Sequence, residues 1–305
     1  MSYIQSTAHF ETISDFLRFG YSEANKAGLY YGHGTDNAWD EIFWLVTASL
    51  HLPISVDRQL LSARLTSAEK EMLAERLSKR IIERIPVAYL IQEALFCGLP
   101  FFVDERVLIP RSPIAELINH QFSPWIDANQ VHRVLDLCTG SACIAIACGY
   151  VFPDAQIDAV DLSPEALEVA RINRQKHEME EQLQLIQSDC WEQVPAVRYD
   201  IIVSNPPYVG SQEMATLPDE YRHEPEMALE CEDNGLVIVE KIMANAHHYL
   251  TEHGILVVEV GNSEEAIIEA YPDLDFIWLD FEHGGQGVFL LTAQQLKSYF
   301  GKQGE

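Results

Sequence analysis

A change of hydrophobic period at Val131 decides the fold class of this chain. From there on, short apolar segments alternate with segments of helical spacing. Strands that alternate with helices pair in parallel and need both faces of their sheet covered, so the pattern predicts a doubly wound, mostly parallel α/β sheet. The last two of the seven predicted strands are expected to form an antiparallel hairpin around a turn at His283–Gln286. The seven strands cover residues 131–137, 156–161, 183–188, 199–204, 254–260, 274–282 and 287–291.

The first 90 residues have helical spacing instead. One helix is predicted over 37–50, and a second starts at the capping box Thr66–Glu69 and ends before Pro86. Basic residues on the second helix are interleaved with glutamates, which favours a solvated face of ion pairs over an RNA contact. These basic residues are Lys70, Arg76, Lys79, Arg80 and Arg84.

The segment between these two parts has a strand pattern of its own. Strands at 94–97 and 101–109 are predicted to form a hairpin, which a short helix follows. We therefore divide the chain into a helical recognition domain at 1–90, a hairpin and linker helix at 91–120, and an α/β domain at 121–305.

Charge is distributed unevenly along the chain. The formal net charge is −27, and residues 121–305 carry 32 acidic and 9 basic residues. A negative field of this size repels phosphate and attracts cations, so it disfavours nonspecific nucleic-acid or membrane binding and favours a basic partner. Solubility, or adaptation to a salty cytoplasm, explains the same charge at least as well.

Neither a leader nor a membrane span is expected. The first residues show no basic region followed by an apolar run, and no apolar stretch approaches roughly 18 residues, so we expect a cytoplasmic protein. The six cysteines include no C-x-x-C pair, which favours buried free thiols over zinc or disulfides, and no metal site is predicted.

Acidic residues lie at or just after the ends of three successive predicted strands. Asp136 opens a loop that runs straight into a helix without a Walker A or G-x-G-x-x-G pattern, and its carboxylate would repel a pyrophosphate but attract an ammonium or sulfonium group. Asp161, twenty-one residues after Gly140, can accept both ribose hydroxyls of an adenosine, or begin a helix at Ser163, or do both. Asp189 can accept from an adenine amino group. Together these carboxylates indicate a nucleoside site that avoids phosphate, such as one for S-adenosylmethionine.

The motif Asn205-Pro-Pro-Tyr208 directly follows an apolar strand. Its prolines have no N–H group, so the turn offers carbonyl oxygens without competing donors. The side-chain oxygen of Asn205 and the carbonyl of Pro206 can accept both hydrogens of a planar –NH2 group, on which the ring of Tyr208 can stack. Held in this way, an amide or aromatic amine presents its nitrogen to an electrophile.

With these motifs the chain resembles the class I S-adenosylmethionine-dependent methyltransferases that carry N-P-P-Y, and among them the protein-glutamine N-methyltransferases. It looks like the branch that methylates a glutamine of the third large-subunit ribosomal protein. The sibling branch, which acts on release factors, would show Pro-Arg-Pro and an acidic residue where this chain has Pro110-Arg-Ser-Pro113. The resemblance spans nearly the whole chain and is carried by residues 31–41, 64–70, 84–90, 107–113 and 221–225.

The resemblance implies a role for each matching residue. The loop at the methionine end of the cofactor would be Asp136, Thr139 and Gly140, with the ribose at Asp161 and the adenine between Asp189 and Cys190. The glutamine amide would be held by the motif residues Asn205, Pro206, Pro207 and Tyr208, of which Asn205 also faces the cofactor, under a roof formed by Arg111.

One position departs from the family pattern. Ala142 stands where the family has glycine, and its methyl either crowds the cofactor or is tolerated at ordinary helical dihedrals.

Three other functions remain open at this point. An N6-adenine methyltransferase for DNA or RNA would use the same Asn205–Tyr208 geometry, but it should carry a basic stripe, and residues 121–305 lack one. A release-factor glutamine methyltransferase is the second alternative. A ribosome-assembly factor that keeps the fold without catalysis is the third, and Ala142 makes it conceivable. The favoured partner is a basic large-subunit ribosomal protein, with neither sequence-specific nucleic-acid contact nor a membrane.

Overall fold

The computed structural model describes residues 3–231, 235–282 and 284–301. Two compact units divide the chain. The first comprises the chain up to Ala94 with the short segments Val103–Glu105 and Pro218–His223. The second comprises Leu95–Phe102, Arg106–Leu217 and the chain from Glu224 onward.

The first unit is helical. Its α-helices are α1 (Ile13–Ala27), α2 (Ala38–Ser49), α3 (Ser67–Ile81) and α4 (Val87–Ile91), with 3-10 turns at Arg58–Ser62 and Asp219–His223. Both predicted helices are confirmed. The Thr66 side chain accepts from the backbone N–H of Glu69, whose carboxylate accepts in turn from that of Thr66, so the predicted capping box starts α3.

The predicted solvated face of α3 is only partly right. Lys79 pairs with Glu75 at 2.8 Å on the surface, as expected. Arg80, however, is 1% exposed and lies between the carboxylates of Glu41 on α2 and Glu220 in the 3-10 turn. The error arose because Glu41 and Glu220 are distant in sequence, whereas helical spacing reveals only neighbours within α3. A buried ion triad therefore ties the 218–223 segment to the helices of this unit.

The second unit is built on a seven-stranded sheet, which confirms the predicted doubly wound α/β fold. Its strands are β3 (Arg133–Leu137), β4 (Gln156–Asp161), β5 (Leu183–Gln187), β6 (Tyr199–Ser204), β7 (Leu250–Glu259), β8 (Ile277–Trp278) and β9 (Val288–Thr292). The spatial order is β5-β4-β3-β6-β7-β9-β8, with β9 antiparallel to both of its neighbours and the other pairs parallel. The strand order reverses at β3, where open α/β sheets bind ligands.

Helices cover both faces of this sheet. They are α5 (Ile114–Asn119), α6 (Cys143–Val151), α7 (Pro164–Lys176), α8 (Ser211–Met214), α9 (Val237–Tyr249), α10 (Glu264–Ala270) and α11 (Ala293–Phe300). Successive residues of β3 alternate between two apolar layers: Val134 packs in the layer of α5, α6 and α7, and Leu135 in the layer of α9, α10 and α11. Burial on both faces explains why central strands carry apolar residues at successive positions, as at 201–203 in β6 and 255–258 in β7.

The predicted linker hairpin is shorter than expected. Strands β1 (Ala94–Phe96) and β2 (Leu99–Phe101) form it, so the expectation of a strand to Ile109 was wrong. The buried side chain of Asn173 on α7 accepts from the N–H of Phe102 at 2.7 Å and donates to its carbonyl at 3.0 Å. Because this amide takes both backbone groups of Phe102, the strand ladder ends there.

The strand predicted over 274–282 is also shorter. The ladder with β9 covers Ile277–Trp278, and the N–H of Leu279 adds one bond to the Val288 carbonyl at 3.0 Å. Near the two ends of the predicted strand, side chains take backbone groups instead: Gln295 donates to the carbonyl of Asp275 at 2.7 Å and Glu116 accepts from the N–H of Glu282 at 2.9 Å. The antiparallel pairing is confirmed. His283, in the predicted turn, lies outside the described residues.

No helix within the described ranges is both long and apolar enough to span a membrane. Those same ranges bring together no group of three His, Cys, Asp or Glu side chains suited to a metal ion.

Candidate active site

A cavity of about 370 Å³ opens at the carboxyl ends of β3, β4, β5 and β6. The loops after these strands supply much of its wall. Among the predicted site residues, Thr139, Gly140, Asp161, Asp189, Cys190, Asn205, Pro207 and Arg111 line it. Three others, Asp136, Pro206 and Tyr208, do not. The structure thus brings most of the predicted cofactor residues together with part of the N-P-P-Y motif.

Asp136 is buried behind the loop that it opens. Its side chain is 0% exposed, and its Oδ2 accepts from the Thr139 hydroxyl at 2.5 Å and from the backbone N–H of Ala145 at 3.1 Å. Ala145 lies in the first turn of α6, whose N-cap Ala142 has no side-chain acceptor, so Asp136 caps α6 from the neighbouring strand. The other oxygen, Oδ1, has no hydrogen-bond partner within the part of the chain that the structure describes.

Burial raises the pKa of Asp136 to about 7, although the bonds from Thr139 and Ala145 oppose that rise. Between about pH 4 and 7, Asp136 is therefore protonated in the native protein but ionised in the unfolded chain. As pH rises through this window, the group lowers the free energy of unfolding. We expect the unfolding free energy of Asp136→Asn, relative to the natural protein, to rise with pH over this window and to level off above it. Denaturant titrations of both proteins from pH 5 to 8 measure this difference, and a constant difference would contradict the raised pKa.

Asp161 fastens the loop after β3 to the end of β4. Its Oδ2 accepts from the N–H of Gly140 at 2.8 Å and its Oδ1 from the N–H of Ser163, the N-cap of α7, at 2.9 Å. Burial raises the pKa of Asp161, against the effect of these backbone donors. The alternative in which Asp161 starts a helix is confirmed. Each carboxylate oxygen retains a further lone pair, so the ribose role stays available as a prediction.

We expect Asp161→Ala to weaken S-adenosylmethionine binding by roughly 10- to 150-fold, the equivalent of about 1.5–3 kcal/mol for bonds to a charged acceptor. Asp200→Ala is a matched control, because Asp200 also accepts two backbone N–H groups, those of His132 and Arg133, but at the amino end of β6. Both variants should lose stability, whereas only Asp161→Ala should lose affinity in calorimetry. Equal affinities would limit Asp161 to its structural role.

Asp189 has a partner that the sequence did not reveal. Lys241 on α9 lies 2.7 Å from its Oδ1. Burial alone would lower the pKa of Lys241, but the hydrogen bond to Asp189 and the nearby acidic groups together raise it. Lys241 comes to Asp189 from a helix distant in sequence, so no local pattern could have identified it.

Two acceptors of the N-P-P-Y motif take no hydrogen bond from the described residues. Neither the side chain of Asn205 nor the carbonyl of Pro206 makes a hydrogen bond to any described residue. The Tyr208 hydroxyl instead donates to Glu259 at 2.9 Å, and the other oxygen of Glu259 accepts from Ser112 at 2.5 Å. Burial raises the pKa of Glu259, which is 6% exposed, although both hydroxyls oppose the rise.

Sequence reasoning missed Glu259, although an acidic residue that ends a long apolar strand was a usable signal. The close approach of Gly261 also escaped it. A Cβ on Gly261 would lie 2.4 Å from the Tyr208 ring, so a residue with a side chain would displace that ring. Glu259 and Gly261 thus fix the orientation of Tyr208 from the end of β7.

Arg111 lines the cavity, and its guanidinium is bidentate to Glu224 at 2.6 and 2.7 Å. Glu224 belongs to the sequence segment 221–225 and precedes Pro225, which also lines the cavity. The observed role of Arg111 is therefore to hold this wall segment in place.

Ala142 meets neither of the two expectations for it. Its φ of 63° is left-handed rather than helical, which costs an alanine roughly 1 kcal/mol. Its methyl is fully buried in the apolar layer beside α6 and does not line the cavity. Ala142 therefore does not crowd the cavity, and it no longer supports the hypothesis of a protein without catalytic activity.

The reversed strand order, the antiparallel β9 and a cavity at the carboxyl ends of the strands define a class I methyltransferase. Residues 121–220 match the family model described as the methyltransferase small domain. Two relatives share almost the full length, and the chain belongs to their family, the ribosomal protein uL3 glutamine methyltransferases.

Each of these relatives is identical to this chain at close to half of the aligned positions. The protein from Francisella tularensis is 46% identical over 289 residues, which cover 94% of this chain and 92% of the relative. That from Neisseria gonorrhoeae is 47% identical over 293 residues, covering 96% and 98%. Among solved structures, the hMettl16 catalytic domain in complex with a MAT2A 3′UTR hairpin has a TM-score of 0.51 at 13% identity, covering 78% of this chain and 87% of that one. The last similarity concerns the fold alone.

Proposed function

We propose that this chain transfers a methyl group from S-adenosylmethionine to the side-chain amide nitrogen of a glutamine in ribosomal protein uL3. The names of its relatives support this substrate. The observation that carries the chemistry is the pair of unused acceptors, the Asn205 side chain and the Pro206 carbonyl, in a motif that reaches the cavity wall. In this proposal the helical residues 1–90 serve to recognise the substrate.

The residues present fit the cofactor. Gly140 has no atom within 4 Å of the place where a Cβ would stand, so a ligand can approach its backbone closely. Asp161 lines the cavity, and each of its carboxylate oxygens keeps a lone pair beyond its one backbone donor, which suits a ribose hydroxyl. We assign Thr139 and Gly140 to the methionine end, Asp161 to the ribose, and Asp189 with Cys190 to the adenine. When bound, the cofactor supplies an electrophilic methyl group on a sulfonium.

The catalytic contribution of the chain is to position the amide and to increase its nucleophilicity. Asn205 and Pro206 accept from the two N–H groups of the substrate amide, which fixes the orientation of the amide and raises the electron density on its nitrogen. The Tyr208 ring, held by Glu259, covers that plane. No general base is assigned, because the amide proton can leave after the methyl group has arrived.

The test is methyl transfer from labelled cofactor to lysate of a strain that lacks this enzyme, followed by mapping of the methylated peptide. We expect one labelled glutamine, in uL3. Purified uL3, finished ribosomes, a release factor and duplex DNA are then compared as acceptors. Preference for the release factor would place the chain in the sibling branch, and activity on DNA would overturn the protein substrate. Cofactor binding without transfer to any acceptor would favour the assembly factor.

Salt should affect this reaction mainly by changing the rate at which the enzyme and its substrate associate. Residues 121–305 carry 32 acidic and 9 basic residues, so they attract a basic substrate. Salt screens this attraction, and its range is about 8 Å at physiological ionic strength. We expect higher salt to slow association severalfold while dissociation changes little. Stopped-flow binding of free uL3 at several salt concentrations measures both rates. An association rate that is independent of salt would show that the acidic surface does not steer the substrate.

A further inference from the structure

The hydroxyl of Ser112 is linked to Tyr208 through one buried carboxylate. Ser112 lines the cavity, and its hydroxyl donates to Oε2 of Glu259 at 2.5 Å. The other oxygen of Glu259, Oε1, accepts from the Tyr208 hydroxyl at 2.9 Å. Ser112 and Glu259 are each 6% exposed, so the bond between them lies in surroundings of low dielectric, where hydrogen bonds are strong. A wall residue of the cavity is thus connected to the last residue of the N-P-P-Y motif.

The direction of these bonds follows from their donors. The backbone N–H of Ile114 donates to Oγ of Ser112 at 3.2 Å, so the single proton of the Ser112 hydroxyl is left for Glu259. The Tyr208 hydroxyl also donates to Glu259, which therefore accepts both bonds. An ionised carboxyl group only accepts, whereas a protonated one also has to donate. The arrangement thus suits the ionised form of Glu259.

Both ends of this link are anchored. Glu259 is the last residue of β7 and pairs with β9, so its backbone is fixed by the sheet. The loop that carries Ser112 is held by a second buried carboxylate. That of Glu224 accepts from the N–H of Ile109 at 3.1 Å and is bidentate to Arg111. Because the terminal torsions of glutamate and tyrosine side chains are broad by themselves, the two hydroxyl bonds restrict the freedom that remains.

We propose that Ser112 is a positioning residue for methyl transfer, which acts through Glu259 to hold the Tyr208 ring in place over the substrate amide. This role rests on the proposed function, whereas the link itself does not. Without the Ser112 hydroxyl, the pKa of Glu259, which burial raises, rises further because one of the opposing donors is lost. The carboxyl group can then rotate, and the ring that it holds shifts with it. The amide under the ring loses its alignment with the methyl group.

The first experiment is a double-mutant cycle on methyl transfer to purified uL3. We expect Ser112→Ala to lower kcat by roughly 10- to 100-fold, the usual effect of a small misplacement, with KM and cofactor affinity largely unchanged. Tyr208→Phe keeps the ring but removes its hydroxyl, so it should cause a loss of similar size. The double variant should be no slower than the slower single variant, because both changes break the same link. Losses that add would show that Ser112 does not act through Tyr208 and would overturn the proposal.

Two further variants separate this role from a loss of folding. Ser112→Thr keeps a hydroxyl and should recover most of the rate. Thr251→Ala is a matched control, because Thr251 lies near the other end of β7 and also donates its hydroxyl to a carboxylate, that of Asp200 at 3.0 Å. It should transfer methyl groups at close to the natural rate. A rate of Ser112→Thr as low as that of Ser112→Ala, or an equal loss in Thr251→Ala, would contradict the positioning role.

A spectroscopic measurement tests the link without substrate. The chain has 12 tyrosines, and in protein labelled with 3-fluorotyrosine the fluorine resonance that Tyr208→Phe lacks belongs to Tyr208. We expect Ser112→Ala to shift this resonance and Thr251→Ala to leave it in place. An unshifted resonance in Ser112→Ala would overturn the link. Failure of the natural protein to methylate uL3 would instead count against the proposed function, while the fluorine spectrum still decides whether Ser112 holds Tyr208.

Discussion

Asn205→Ala is expected to lower methyl transfer by roughly two to three orders of magnitude, or about 2.7–4 kcal/mol, the usual cost of one preorganised polar group in an active site. The Asn205 side chain makes no hydrogen bond to any described residue, so its removal breaks no hydrogen bond within that part of the chain. The loss should therefore fall on kcat rather than on stability. Cofactor affinity should stay largely in place.

Single-turnover kinetics with labelled cofactor, together with calorimetry, separate these effects. Asn262→Ala is a matched control, because Asn262 follows the end of β7 in the same unit but bonds Glu213 and does not line the cavity. It should transfer methyl groups at close to the natural rate. Near-normal turnover of Asn205→Ala would show that Asn205 does not hold the substrate amide.

Arg80→Met is expected to destabilise the helical unit by about 3–5 kcal/mol, because it leaves the buried Glu41 without a cation and Glu220 with only the partly exposed Arg84 at 3.4 Å. Glu41 and Glu220 are 5% and 2% exposed, and the side chain of Arg80 contacts both. Burial alone would raise the pKa of Glu220, but backbone donors and Arg80 lower it overall. The triad therefore stabilises the folded protein at pH values above the normal pKa range of glutamate. This stabilisation is lost as pH falls.

Two comparisons make this prediction specific to the buried charge. Lys79→Ala removes a cation from the same helix, but its pair with Glu75 is exposed, so it should cost at most about 0.5 kcal/mol. Adding Glu41→Gln and Glu220→Gln to Arg80→Met should restore much of the loss, because no buried charge remains. Thermal unfolding at pH 7 and pH 4.5 measures these differences. A deficit in Arg80→Met that is equally large at both pH values would exclude uncompensated carboxylates as its cause.

Local pattern was sufficient for the fold class and for much of the cavity wall. Strand runs such as 156–161 and 199–204 are predicted to the residue, because short, mostly apolar segments that alternate with helical segments are typical of strands in a covered parallel sheet. Residues at strand ends, such as Asp161 and Asn205, then had to meet at one edge of the sheet, since parallel strands place their carboxyl ends together. Hydrophobic period and chain order determine this much without any knowledge of tertiary contacts.

Only the tertiary structure decided which groups support those residues. Glu259 comes to Tyr208 from β7, Lys241 comes to Asp189 from α9, and Glu220 comes to Arg80 from a turn that lies far along the chain. It also buried Asp136 so that its carboxylate caps α6, which Ala142 cannot do with its own side chain. The physical reason is the same in each case. Burial and hydrogen-bond partners depend on neighbours in space, whereas periodicity along the chain reports only which face of a strand or helix a residue occupies.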